Sequence, residues 1–141
     1  MATKIKWIIS LNCEAMSVPE IMAADLWSQI CPVGTDAPDL LAVGLQEAQI
    51  KQKEFLGHTL ARLYGYNVVA DETIHGMTKL GQAFSGFGKK NILDKAGCYQ
   101  NLTILAKPNA GVFVERSSKN SAGKFSEKGS LVSAVHFANK R

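Results

Sequence analysis

The chain opens with Lys4-Ile5-Lys6-Trp7-Ile8-Ile9-Ser10-Leu11, where alternation gives way to a continuous apolar stretch. A strand entering a core buried on both faces has this pattern, so this segment is expected to be a central strand. Ser17-Val18-Pro19-Glu20 reads as a helix start, with Ser17 as N-cap and a proline that the first turn tolerates. Ile21 to Trp27 carries that helix on, with Met22, Leu26 and Ile30 sharing a face at a spacing of four. It is expected to stop before Pro32-Val33-Gly34, because the residue ahead of a proline is pushed out of the helical region.

Asp36-Ala37-Pro38-Asp39 is a turn signal, after which Leu40-Leu41-Ala42-Val43-Gly44-Leu45 is a second apolar run that ends abruptly in Gln46-Glu47. Lys51 to Tyr64 returns to helical periodicity, with Phe55 or Leu56, Leu60 and Leu63 as its stripe and Gly65 as the closing residue. Residues 66–78 and 100–106 read as strands, separated by the glycine-rich run Gly81 to Gly88 and the basic pair Lys89-Lys90. Residues 111–115 and 129–137 complete an expected antiparallel meander, joined by a polar connector from Ser117 to Glu127. Strand and helix pairs followed by antiparallel strands predict an α/β domain, a layered sandwich with a mixed, largely antiparallel sheet.

Composition narrows the class. With 141 residues, 46% of them hydrophobic, 20% charged and a net charge of +4, the chain suits one globular domain and excludes wholesale disorder. No run approaches the roughly 18 apolar residues of a membrane span, and the amino-terminal residues show no cleavage site, so a cytoplasmic protein is expected. The three cysteines, Cys13, Cys31 and Cys98, form neither a CxxC pair nor a histidine cluster, and are read as reduced, mostly buried thiols. Residues 1–70 are slightly acidic and residues 71–141 carry the basic surplus. A phosphate ester, a nucleic acid or an acidic membrane would suit that surplus, and so would solvated loop lysines.

Two positions sit where a sheet presents chemistry: Asn12 after the first apolar strand and Glu47 after the second. A carboxylate beside an amide at one sheet edge is adequate as part of a Mg²⁺ site, because magnesium takes one or two carboxylates and keeps waters or substrate phosphate elsewhere. Spacing alone leaves open a solvent-facing Glu47 or a helix N-cap.

The residues from Trp7 to Asn12, followed by Pro38-Asp39-Leu40-Leu41-Ala42-Val43-Gly44-Leu45-Gln46-Glu47, resemble the opening of the endonuclease/exonuclease/phosphatase (DNase I-like) superfamily, and most closely its inositol polyphosphate 5-phosphatase branch. Leu102 to Lys107 is similar to the strand before that family's variable hairpin. Phe125 to Phe137 is similar to its G-N-K-G turn and the following strand, with Glu127 in place of the usual asparagine and Lys128-Gly129 kept. The resemblance implies that Asn12 organises phosphate and catalytic groups, that Glu47 is a magnesium ligand, and that Lys128 lies on the phosphate side, weakened by its acidic neighbour. It implies a Mg²⁺-dependent phosphoric-ester hydrolase acting on phosphoinositides or inositol phosphates. The lysines at 89–90 and 119–128 would then face an anionic head group or membrane surface.

In that family the water-activating aspartate with its asparagine, the phosphoryl-stabilising histidine and a closing Ser-Asp-His follow the strand that here ends near Phe137. His58, His75 and His136 fit none of these and are read as structural or surface residues. In-line hydrolysis needs an activated water, charge stabilisation and leaving-group protonation, more than one glutamate and one amide supply. The chain is therefore expected to be the amino-terminal half of the sandwich, an α/β/β/α arrangement, with an exposed sheet edge. Two alternatives stay open: a nuclease of the same superfamily, disfavoured by 8% aromatics and no clustered arginine, and a non-catalytic module that binds phosphoinositide or a protein. Gly81 to Gly88 is not a Walker loop, Cys13 is expected to be a buried thiol beside Asn12, and the formal glycosylation acceptor Asn101-Leu102-Thr103 falls in a strand.

Overall fold

The second apolar run becomes the strand around which the others assemble. In a computed structural model, which describes residues 6–13, 16–24, 37–48, 54–77, 97–121 and 129–137, the order is β1 (Lys6–Asn12), α1 (Val18–Ala23), β2 (Leu40–Ala48), α2 (Leu56–Tyr64), β3 (Asn67–Met77), β4 (Gly97–Ala106), β5 (Val112–Ser121) and β6 (Gly129–Phe137). The fold is mixed α/β and strand-rich. Strands β1-β2-β4-β3 form one sheet, in which β1 and β2 are parallel and the other neighbours antiparallel, and β5-β6 form a separate antiparallel pair.

Alternation along β2 sends its apolar side chains to two different cores. Leu41, Val43 and Leu45 lie with Leu105 in the cluster that includes Leu56, Leu60 and Phe55 near α2 and Ile21 of α1. Leu40 and Ile104 lie in the other cluster, against Val112 and Val114 of β5 and Val135 and Phe137 of β6. Complete burial of each leucine at 41, 56, 60 and 105 contributes about 1.5–3 kcal/mol relative to exposure.

The helices are shorter than their periodicity predicts. Glu20 accepts the Ser17 backbone N–H at 2.6 Å and the Ser17 hydroxyl, which fixes the start of α1. Ala24 is already extended (ψ 148°), so α1 ends at Ala23; the rest of the expected helix, with Leu26 and Ile30, lies outside the described residues. Gly65, at φ 72°, closes α2 in the left-handed conformation that glycine adopts without steric cost. Burial on α2 is confined to Leu56, Gly57, Thr59 and Leu60, and Leu63, on the same side by rotation but in the last turn, is 47% exposed.

Three strand expectations need correction. Strand β1 ends the order of the described sheet instead of lying inside it: the helix side covers Ile9, but Ile8, on the opposite face, is 83% exposed. The meander is two sheets. Asn109 (φ 66°) and Gly111 (φ 67°) turn the chain after β4, and β5-β6 packs across the face of the first sheet instead of extending it. Strand β5 also runs to Ser121, through what reads as connector; Ser117 is paired with Ser133, their hydroxyls 2.9 Å apart. A serine-rich strand with few apolar residues gives no alternation to detect.

Register between β3 and β4 is pinned by one buried amide. Asn101, 1% exposed, donates to Asp71 Oδ1 (2.8 Å), Glu72 O (3.2 Å) and Thr73 Oγ1 (3.1 Å), and its own oxygen accepts from Thr103 (2.7 Å). A one-residue slip would bury that amide unpaired, at a cost of about 1–3 kcal/mol. The acceptor motif at Asn101 is thus a core residue. Helix α2 meets this region closely: a Cβ on Gly57 would stand 2.5 Å from Thr103 Cβ. Gly57→Ala, which in an open helix stabilises, is expected here to destabilise by about 1–3 kcal/mol, read from the urea midpoint.

Candidate functional site

Parallel neighbours end at the same side of a sheet, and the register makes this concrete. Asn12 is opposite Gln46, and the Cys13 backbone N–H extends the ladder by one bond, donating to Gln46 O at 2.8 Å. On its other side β2 slips against β4: Leu45 pairs with Asn101 and Ala48 with Tyr99, so β2 carries one residue more across the irregularity. Glu47 sits in that bulge at φ 51°, left-handed backbone that costs a non-glycine residue about 1–2 kcal/mol. Consequently Gln46 and Glu47 are both exposed in succession, and burial resumes at Ala48.

Asn12 and Glu47 thus occupy the carboxyl ends of adjacent strands, with Asn12 in register with Gln46. Gln46 joins them, its Nε2 3.5 Å from Ser10 Oγ. Strained backbone held by surrounding structure recurs at functional sites, and here it carries the one carboxylate of the group. Cys13 follows Asn12 at this strand end. It is 1% exposed, and its thiol is pushed up to about 11 from 9.0, first by burial and then by the negative charge of Glu47, which places that carboxylate within electrostatic reach of the sulfur.

No protein-family model, curated protein or solved structure matches the chain. The site is thus judged on its own donors. Among the described residues no three His, Cys, Asp or Glu side chains cluster as an all-protein metal cage. By donor chemistry, a carboxylate and the amide oxygens available at this strand end are of the type that suits a hard cation keeping part of its water shell, the coordination habit of Mg²⁺. A buried, protonated thiol is a poor ligand, so Cys13 adds nothing to such a set.

Other elements reach the same end of the sheet. Tyr99 is opposite Ala48 on one side and His75 on the other, so the β3 and β4 ends at Met77 and Gly97 are there too. The β5-β6 pair advances in the same direction, with Lys119 Nζ 3.5 Å from Thr73 O. Lys128, Glu127, Lys89 and Lys90 lie outside the described residues, as do Cys31 and the Gly81 to Gly88 run. His58 hydrogen-bonds Asp71 at 2.9 Å, and His136 pairs with Glu115 and stacks on Phe113, ring centroids 5.4 Å apart.

Sequence reasoning passed over Gln46, Ser10 and the bulge. The signal was present in the Gln46-Glu47 pair itself, since two successive polar residues after a buried run mark a loss of alternation. The His58–Asp71–Asn101–Thr103 network joins residues distant in sequence and left no local sign.

The Cys13 shift has a definite pH signature. Its folded value exceeds the unfolded one, so the stability it contributes is full below about pH 9 and is lost as pH rises toward about 11. Chemical denaturation across pH 8–11 is expected to show this decline in the wild type, and Cys13→Ala is expected to flatten it.

Proposed function

We propose that the chain contributes the metal-holding and phosphate-orienting part of a Mg²⁺-dependent phosphoric-ester hydrolase resembling the inositol polyphosphate 5-phosphatases. One observation carries this reading: the parallel register sets Asn12 beside Gln46 and Glu47, with Glu47 turned out of the ladder by a strained bulge. In this proposal the two cores of β2 belong to one half of a layered α/β/β/α sandwich of the superfamily named above.

Glu47 would hold the cation, and Asn12 would orient a phosphate oxygen through its amide N–H. Bound magnesium would supply charge stabilisation on the phosphoryl oxygens. Lys128 follows the β5 end at Ser121 and precedes Gly129, and would add a basic group on the phosphate side. The substrate class is a phosphoinositide or soluble inositol phosphate, met on the cytoplasmic side with peripheral contact to anionic lipid through the basic second half. A nuclease would use the same two residues, but a backbone-tracking groove calls for clustered arginine and aromatic stacking that the composition does not supply.

Glu47 variants test this reading and separate it from a structural role. Glu47→Ala is expected to weaken Mg²⁺ binding at least about tenfold in a calorimetric titration, with the circular dichroism spectrum unchanged. Glu47→Gly is expected to lose binding equally, yet to be more stable than Glu47→Ala by about 1 kcal/mol, because glycine relieves the left-handed backbone. Unchanged magnesium titrations in both variants would remove the assignment.

A further inference from the structure

We propose that β1 pairs with the β1 strand of a second copy of this chain, antiparallel and centred on Ile9. Strand β1 is last in the order of the described sheet, and within its seven residues it has no proline, no bulge against β2 and a single charge, at its first residue.

The backbone decides which register is available. In a parallel ladder, alternate residues direct both polar groups toward the same neighbour. Cys13 N–H points at β2, so the odd-numbered residues of β1 bond inward, and Lys6, Ile8 and Ser10 direct their N–H and C=O groups outward. An antiparallel partner must set outward residues against outward residues. The arrangement centred on Ile9 does so and engages all seven residues: Ile8 opposite Ser10 of the partner subunit, Trp7 opposite Leu11 of the partner subunit, and Ile9 on the two-fold axis. Shifts by two residues in either direction shorten the ladder.

The side chains agree with that choice. On the helix-covered face Trp7, Ile9 and Leu11 form a sequence of apolar residues that continues unbroken into the same three of the second copy. On the other face the pairing extends over Ile8, 83% exposed and the most exposed of the large apolar side chains described. The one charge of the strand does not face its own copy: the Lys6 ammonium lies over the Phe137 ring of its own chain, 4.9 Å from the centroid. A second copy therefore suits this edge through register and apolar continuity together. A single seven-residue ladder is a small interface, so the association is of the weak class.

Sedimentation equilibrium of the 141-residue chain over a wide concentration range tests this, with hydrogen exchange at the Ile8 and Ser10 amides measured at both extremes. The expected result is about a twofold rise in mass with concentration, together with exchange at those two amides slowed about tenfold. Ile8→Pro removes an outward N–H and no bond to β2, and Ile8→Lys sets like charges near each other across the axis. Each is expected to give a monomer with an unchanged circular dichroism spectrum. A monomer at every concentration overturns the proposal, as does a dimer that survives both substitutions. Concentration-independent protection of the two amides in a monomer also overturns it, since the edge would then be covered by the chain itself.

Discussion

Burial of β2 on both faces and pairing along both edges is the constraint from which the rest of the structure follows. A strand so enclosed favours apolar residues, because a polar side chain along it is buried at a cost unless it finds a partner. Leu40 to Leu45 obeys this, serving one core with Leu41, Val43 and Leu45 and the other with Leu40 and Ala42. Polar chemistry enters only where the ladder slips, between Leu45 and Ala48, and there it enters twice in succession as Gln46 and Glu47. Because β1 runs parallel beside it, Asn12 is carried to the same end without any further device.

Two polar systems flank this strand, and they are built on opposite terms. Asn101 is buried, and its donors and acceptor are engaged by β3 and β4, so it specifies one register and rigidifies the sheet. Glu47 is exposed, its backbone is strained, and its charge adds to burial in raising the Cys13 thiol. The first arrangement lowers the energy of the fold. The second raises it, and has no structural return among the described residues.

Legibility in the sequence followed the strength of the local pattern. Strand β2 and its polar end, the Gly65 cap, β3 and all of β6 could be read from periodicity, since burial on one or two faces leaves a direct imprint on residue type. Strand β1 was misplaced because Trp7-Ile8-Ile9 has the composition of a doubly covered strand, while the fold covers only its Ile9 side. Strand β5 was cut short because Arg116-Ser117-Ser118-Lys119 pairs through backbone and hydroxyl groups that demand no hydrophobic pattern. The meander failed for a different reason: two left-handed residues at 109 and 111 redirect the chain, and Asn109 gives only a weak hint of it. At the site, adjacency of Asn12 and Glu47 followed from two strands ending alike. The Gln46-Glu47 pair signals that alternation is lost there, but the bulge that exposes both depends on β4, far along the chain.

The same topology bears on how the chain comes to be folded during synthesis. Tyr66 donates its hydroxyl to Pro38 O at 2.8 Å, and Lys107 donates its backbone N–H to Asp39 O at 3.0 Å, so the start of β2 is clasped by residues that follow it by a wide margin. Its antiparallel neighbour β4 likewise begins only at Gly97. At translation rates of about 5–20 residues per second, the apolar β2 leaves the ribosome several seconds before β4 exists to cover its edge. A sheet assembled from such distant pieces forms slowly, because loop closure is completed before the contacts that reward it. During that interval the apolar run Leu40 to Leu45 has one edge without its partner strand.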